Sequence, residues 1–282
     1  MRILITGGLG LLGRELVRTL GPHHLVRIAD LPETDITQAR LLIARVRAFR
    51  PDLILHAAAA TDVDGCESDP DRAFRINAVG SANVAHAADQ FGARLIAFST
   101  DYVFDGTSPR PYHEWDVPSP RTVYGASKLA GEEAIRTHCP NHVILRIAWL
   151  YGPGGPSFLH AILGKARQPG PPLRVVNDQR GNPTSTRAVA DLVTRLLEEP
   201  VVGLFHATCE GEATWYDLAR AALAEAGLSR EVIPCTTAEF PRPTPRPANS
   251  RLEKRRLRLQ GFPPMPDWRD ELARFLRDHP TL

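Results

Sequence analysis

A run of glycines at the end of the first apolar segment constrains this chain more than any other feature. Thr6-Gly7-Gly8-Leu9-Gly10-Leu11-Leu12-Gly13 follows the strand-like stretch Arg2–Thr6 and opens a helical pattern that reaches Leu20. It reads either as G-x-x-G-x-x-G (Gly7, Gly10, Gly13) or as G-x-G-x-x-G (Gly8, Gly10, Gly13). Glycines between a strand and a helix let the backbone lie against a pyrophosphate, which rests on the helix N-terminus. An acid at the end of the next strand completes that pattern, and Asp30 stands there.

The turn implies a dinucleotide, with Gly7, Gly10, Leu11, Leu12 and Gly13 as its first contacts. Asp30 either accepts from an adenosine ribose, which favours NAD, or serves as a strand-end turn residue. Arg14 and Arg27 are the alternative, as partners of a 2′-phosphate, so the choice between NADPH and NADH stays open. Asp35 and Ile36, just before the next helix, are within reach of an adenine, although Asp35 also suits a helix cap. Ala57, Ala58 and Ala59 follow the third strand, and small side chains there admit a cofactor or a close-packed strand end.

Apolar strands and helical patterns alternate through the first 150 residues. Candidate strands are Arg2–Thr6, Leu25–Ala29, Leu53–Ala57, Leu95–Ser99 and Val143–Ile147; candidate helices are Gly10–Leu20, Gln38–Phe49, Asp71–Phe91 and Tyr124–His138. Near-continuous apolar strands mark a parallel sheet buried on both faces. The order predicts an α/β, doubly wound, Rossmann-type fold with a smaller C-terminal substrate-binding lobe. Residues 1–150, rejoined by parts of 177–205, form the expected dinucleotide-binding domain, and 151–282 are mainly the lobe. In that second part Leu173–Val176 and Gly203–His206 read as strands, and Arg187–Glu198 and Trp215–Ala226 as helices. Thr214 caps the last of these, with Asp217 in its first turn. Pro241-Arg-Pro-Thr-Pro-Arg-Pro247 admits neither helix nor central strand and reads as an ordered, extended strap.

A net charge of +2 gives no basis for nucleic-acid or membrane binding. The basic run Arg251, Lys254, Arg255, Arg256, Arg258 reads as a solvated helix face. Four scattered cysteines without metal-ligand spacing argue against zinc and a disulfide framework. They suit a reduced, cytoplasmic compartment, and no apolar stretch reaches the ~18 residues of a membrane span.

The chemistry centres on Tyr124-Gly-Ala-Ser-Lys128, preceded by Ser99-Thr100-Asp101-Tyr102 at the end of a strand. Tyrosine and lysine four apart share one helix face. An ammonium near a phenol favours the phenolate, giving a proton donor and acceptor usable near neutral pH. Of 34 basic residues only Lys128, Lys165 and Lys254 are lysines, so a lysine at 128 suggests a task that needs a compact ammonium.

Thr100, Tyr124 and Lys128 together resemble the extended short-chain dehydrogenase/reductases. The blocks Asn177-Asp-Gln-Arg-Gly-Asn-Pro-Thr184, Trp215-Tyr-Asp217 and Arg246-Pro-Ala-Asn-Ser-Arg-Leu252 resemble the dTDP-4-dehydrorhamnose reductases within them, and the resemblance covers essentially the whole chain. It implies hydride transfer from NADPH or NADH to C4 of a dTDP-4-keto-6-deoxyhexose. Tyr124 would be proton donor, Lys128 would lower the tyrosine and hold the nicotinamide ribose, and Thr100 would align the ketone. Asp101, Tyr102 and Trp149 would line the sugar pocket, and Asn177, Gln179, Arg246 and Asn249 would shape the nucleotide side. The resemblance implies a dTDP-sugar as ligand, no catalytic metal despite Asp62, Asp64 and Glu67, and Asn77 as a structural residue; a homodimer is a candidate assembly.

Two other readings compete. One is another nucleotide-sugar 4-keto reductase, an epimerase or a dehydratase; a dehydratase is expected to carry Asp-Glu beside the threonine, and here Asp101-Tyr102 lacks the glutamate. The other is a non-catalytic subunit resembling the regulatory subunit of methionine adenosyltransferase, against which the intact Tyr124–Lys128 pair counts.

Overall fold

The computed structural model describes residues 1–280, so the last two positions of the expected 151–282 lobe lie outside the described residues. The strands are β1 (Arg2–Thr6), β2 (Leu25–Ala29), β3 (Leu53–His56), β4 (Arg94–Thr100), β5 (His142–Ile147), β6 (Leu150–Tyr151), β7 (Leu173–Val176), β8 (Arg180–Gly181), β9 (Thr184–Ser185), β10 (Gly203–His206), β11 (Ala213–Thr214) and β12 (Val232–Cys235). The helices are α1 (Leu11–Leu20), α2 (Ala39–Phe49), α3 (Val63–Ser68), α4 (Pro70–Phe74), α5 (Ser81–Gln90), α6 (Val123–His138), α7 (Phe158–Ala166), α8 (Thr186–Glu198), α9 (Trp215–Glu225), α10 (Arg255–Leu259) and α11 (Trp268–Asp278).

Six parallel strands in the order β10-β5-β4-β3-β1-β2 form the central sheet. Successive side chains of a strand point to opposite faces. Ile3 and Ile5 therefore join α1, α8 and α11 in one core, while Leu4 joins α2, α5 and α6 in the other. This is the doubly wound, Rossmann-like arrangement. The strand order reverses between β1 and β3, the switch point outside whose carboxyl ends ligands bind. The glycine turn after β1 and the alanines after β3 meet at that point.

Three expectations need correction. β2 is not a fully buried run: as an edge strand it alternates exposed and half-buried residues up to Ala29. The single helix expected over 71–91 is broken into α4, a π-helical turn (Arg75–Gly80) and α5. The wider turn carries Asn77, which accepts from Ala60 N–H (2.8 Å) and donates to the Ala60 carbonyl (3.1 Å) and to Ser127 Oγ (3.0 Å). Asn77 thus ties the alanine loop to α6, as a structural residue does. The basic run is a solvated face only in part: Arg255 and Arg258 are exposed, but the others are tied down. Lys254 is buried and donates to the Cys209 carbonyl (3.1 Å), and Arg256 ties down the carbonyls of Val202 and Leu204 beside the outer strand β10. Covering the polar groups beside an edge strand blunts pairing with another chain.

After β5 the chain divides. α8 and β10 return to the main sheet, while β7 pairs with β12 and β8 with β11 in small separate sheets. Thr214 and Asp217 form a reciprocal capping box at the start of α9. The prolines of the strap hold it in irregular, extended form between β12 and α10. No described helix is long and apolar enough to cross a membrane.

Candidate active site

A continuous cleft runs along the carboxyl ends of the central strands. Its first hollow, about 680 Å³, is lined by Gly7, Gly10, Asp30, Asp35, Ile36 and Ala57–Ala59 among others. The second, about 540 Å³, shares Gly7, Gly10, Ala57 and Ala59 and adds Leu11, Leu12, Gly13, Thr100, Tyr124 and Lys128. The third, about 530 Å³, shares Tyr102, Trp149 and Pro156 with the second.

The first two hollows fit a dinucleotide. A Cβ on Gly13 would overlap the Gly7 carbonyl oxygen, so only glycine lets α1 start this close to the turn. The N-terminus of α1 has no side-chain cap and no acid in its first turn, leaving its N–H groups and partial positive charge to an anion. For Asp30 the structure shows the strand-end turn role, at a position on the cleft wall. Its carboxylate accepts from the N–H groups of Leu9 (3.0 Å) and Leu31 (2.9 Å), which fixes the loop. Asp35 does not cap α2, whose N-cap is Gln38; it accepts from Thr37 N–H and Oγ1 (2.8 Å each) in the turn before the helix.

Tyr124 lies in the first turn of α6, whose N-terminus is fixed by Thr122 accepting from Gly125 N–H (3.0 Å). A Cβ on Gly125 would overlap the Tyr102 carbonyl, so glycine brings the helix against the turn that follows β4. The rings of Tyr124 and Tyr102 meet edge-on at 5.4 Å. Thr100 Oγ1 donates to Asp101 Oδ1 (3.0 Å) and accepts from Tyr102 N–H (3.2 Å). Burial pushes the Asp101 carboxyl up to about 6, against the hydroxyls of Ser250 and Thr100.

The electrostatics correct one expectation. Lys128 was expected to lower the Tyr124 phenol. Instead burial holds the phenol well above its ordinary value, opposed by hydrogen bonding to Thr100. Lys128 Nζ donates to the Phe98 carbonyl (2.8 Å), and burial brings its ammonium down to about 8, against the pull of Glu132. A phenol kept protonated is a loaded proton donor, which suits reduction of a carbonyl. The Lys128 value carries a pH prediction. Its ammonium loses its proton as pH rises through about 8, so kcat/KM, which reports the free enzyme, should fall on the alkaline side from about pH 8. A pH–rate series checks this, and a profile flat to pH 10 would contradict it.

On the third hollow, Trp149 stacks on Trp215 at 3.5 Å with the rings 5° apart, and it holds a left-handed backbone at φ 47°. Trp149 therefore packs and lines the cleft at once. Gln179 accepts from Trp215 Nε1 (3.1 Å), and its Nε2 donates to Thr237 Oγ1 (2.9 Å). Arg246 reaches the cavity from the strap. Two expected residues lie elsewhere. Asn177 is exposed and accepts from Thr214 Oγ1 (2.8 Å), bracing α9. Asn249 is buried and saturated: its Nδ2 donates to the carbonyls of Ser108 and Arg110, and its Oδ1 accepts from Arg251 N–H and Nε. Trp215, Phe240, Lys165 and Arg242, which line this hollow, were not predicted as site residues. The signal for Trp215 was the block that contains it; Phe240, Lys165 and Arg242 carried none in sequence.

Among the described residues no three His, Cys, Asp or Glu side chains cluster as metal ligands. The acidic loop is spent on other partners: Glu67 accepts from Val123 N–H (2.8 Å) at the start of α6, and Asp64 pairs with Arg246.

A switch-point glycine turn, a helical tyrosine–lysine pair and a strand-end threonine on a Rossmann-like sheet define a site of the short-chain dehydrogenase/reductase class. Comparison with known proteins narrows this. The chain belongs to the family whose model is described as RmlD substrate binding domain, which matches residues 1–280. It is 38% identical to the spore coat polysaccharide biosynthesis protein SpsK of Bacillus subtilis, covering 98% of this chain and 97% of that one. It is 36% identical to the dTDP-4-dehydrorhamnose reductase of Escherichia coli, covering 99% and 98%. The crystal structure of dTDP-4-dehydrorhamnose reductase from Bacillus anthracis in complex with NADP superposes with a TM-score of 0.96 at 36% identity, over 98% of this chain and 99% of that one.

Proposed function

We propose that this protein reduces the C4 ketone of dTDP-4-dehydro-L-rhamnose to dTDP-L-rhamnose, using NADPH or NADH. The observation that carries the reading is the junction of the cleft. Thr100, Tyr124 and Lys128 stand in the hollow that begins at the glycine turn, and that hollow opens through Tyr102 and Trp149 into the aromatic, cationic third hollow. The family relatives supply the identity of the sugar nucleotide.

When bound, the reduced nicotinamide supplies the hydride that arrives at C4. The chain's residues do the rest. The ketone oxygen gains negative charge as its carbon accepts the hydride, and Tyr124 Oη donates its proton to that oxygen. Thr100 Oγ1 holds the oxygen in line. The resulting phenolate, disfavoured by burial, takes a proton back from solvent. Lys128 is placed to hold the ribose hydroxyls, and the N–H groups at the start of α1 the pyrophosphate. Asp30, Asp35, Ile36 and Ala57–Ala59 flank the adenosine. Trp149, Trp215 and Gln179 frame the nucleotide of the substrate, and Arg246 meets its diphosphate. Residues 1–150 with parts of 177–205 serve as the dinucleotide domain, and the remainder of 151–282 as the substrate lobe. The same reading carries a cytoplasmic location and a homodimer.

The test follows oxidation of NADPH and of NADH with dTDP-4-dehydro-L-rhamnose made in situ from dTDP-4-dehydro-6-deoxy-D-glucose by an added 3,5-epimerase. Oxidation that requires the epimerase is expected. Oxidation without it would reassign the substrate to the D-sugar. No oxidation by folded protein would overturn the reading.

A further inference from the structure

One acid from a distant part of the chain binds the strap where it borders the third hollow. Asp64 lies at the start of α3, in the loop whose Thr61 and Val63 line the coenzyme hollow. Its Oδ2 accepts from Arg246 Nη2 (2.9 Å) and its Oδ1 from Thr244 N–H (3.2 Å). Arg246 Nη1 donates to the Thr244 carbonyl (2.9 Å), closing the arrangement. The guanidinium beside it holds the Asp64 carboxyl below the usual carboxylate range. A guanidinium has five N–H groups. Two are spent here, one on each Nη, which leaves Nε–H and one N–H on each Nη for a ligand. The side chain is one-fifth exposed and lines the cavity, so a ligand there can reach it.

An arginine on a strap without regular structure has many rotamers, and fixing it costs entropy that weakens whatever it binds. A carboxylate that holds one of its N–H groups, and holds the Thr244 backbone whose carbonyl takes a second, removes part of that cost in advance. We infer that Asp64 is a positioning residue, which pre-orders Arg246 to receive the diphosphate of the sugar nucleotide and links the coenzyme-side loop to the substrate-side strap. The inference rests on the proposed role of Arg246.

The test is a double-mutant cycle on KM for the sugar nucleotide, with NADPH saturating. Asp64→Asn keeps an oxygen for Thr244 N–H and removes the charge. It should raise that KM about fivefold, the scale of a partly exposed ion pair, and leave kcat and the KM for NADPH within about twofold. Arg246→Met should raise the KM more. In the Arg246→Met background Asp64→Asn should add nothing, because its effect passes through the arginine. A purely structural role for Asp64 predicts additive effects and a lowered Tm in both backgrounds, and that outcome would overturn the inference. An unchanged KM in Asp64→Asn with a raised KM in Arg246→Met would overturn it as well, while leaving Arg246 in place. An unchanged KM in Arg246→Met would remove Arg246 from the diphosphate and the inference with it.

Discussion

Tyr124→Phe should lower kcat by at least ~100-fold, the scale of losing a general acid, with coenzyme affinity nearly unchanged. The phenyl ring keeps the edge-on contact with Tyr102 and the place in the first turn of α6. Only the hydroxyl is lost, and with it the proton for the ketone oxygen. Burial holds that phenol protonated, so wild-type enzyme carries the proton across the neutral range, and no other group described at this junction replaces it well. Tyr102 is also kept protonated by burial, but its ring faces the third hollow and the strap as well as the second. Asp101, raised to about 6, is mostly ionised at pH 7 and is a poor donor there. Steady-state kcat together with NADPH titration of the variant separates chemistry from binding. An unchanged kcat would take Tyr124 out of the mechanism; a lost coenzyme affinity would recast it as a binding residue.

The parts of this site that could be read in sequence are those fixed by local rules. A glycine turn between a strand and a helix, and a tyrosine–lysine pair one helical turn apart, have the same geometry wherever they occur, so Gly7, Gly10, Gly13, Tyr124 and Lys128 all line the cleft. The sheet followed from apolar runs for the same reason. The remainder depends on long-range contacts that spacing does not encode. Asn249 was placed near the substrate because its block resembles that of the family, yet the side chain is consumed by the carbonyls of a loop 139 to 141 residues away. Lys128 sits on the predicted helix face, but its partner is the Phe98 carbonyl of a neighbouring strand, and burial rather than pairing sets its charge. The solvated face expected of the basic run holds for Arg255 and Arg258 but not for Lys254 and Arg256, because the carbonyls that these two satisfy belong to other segments.

The second large effect lies behind the catalytic residues. Glu132, one turn after Lys128 on α6, accepts from Arg146 Nε and Nη2 (2.8 Å each) and from Ser99 Oγ (2.6 Å), and both charged side chains are at most 2% exposed. Ser99 adjoins Thr100 and Arg146 adjoins Ile147, so this pair joins α6 to the ends of β4 and β5 where the site is built. Burying two charges costs much of what their attraction returns, but removing one partner leaves the other uncompensated, typically at ~3–5 kcal/mol. Glu132→Gln should therefore destabilise the protein by about that amount, measured as a fall in the denaturation midpoint with urea. Glu132→Leu combined with Arg146→Met, which removes both charges, should recover most of it. A second consequence distinguishes this pair from a merely stabilising one. Glu132 raises the Lys128 ammonium against burial. Without that charge Lys128 loses its proton at lower pH, so the alkaline fall in kcat/KM should move below about 8 in whatever fraction of Glu132→Gln remains folded. A stability within ~1 kcal/mol of wild type would show that Arg146 finds another partner. An unmoved alkaline limb would show that Glu132 and Lys128 are electrostatically independent, and that the helix carries the catalytic ammonium without help from the pair beneath it.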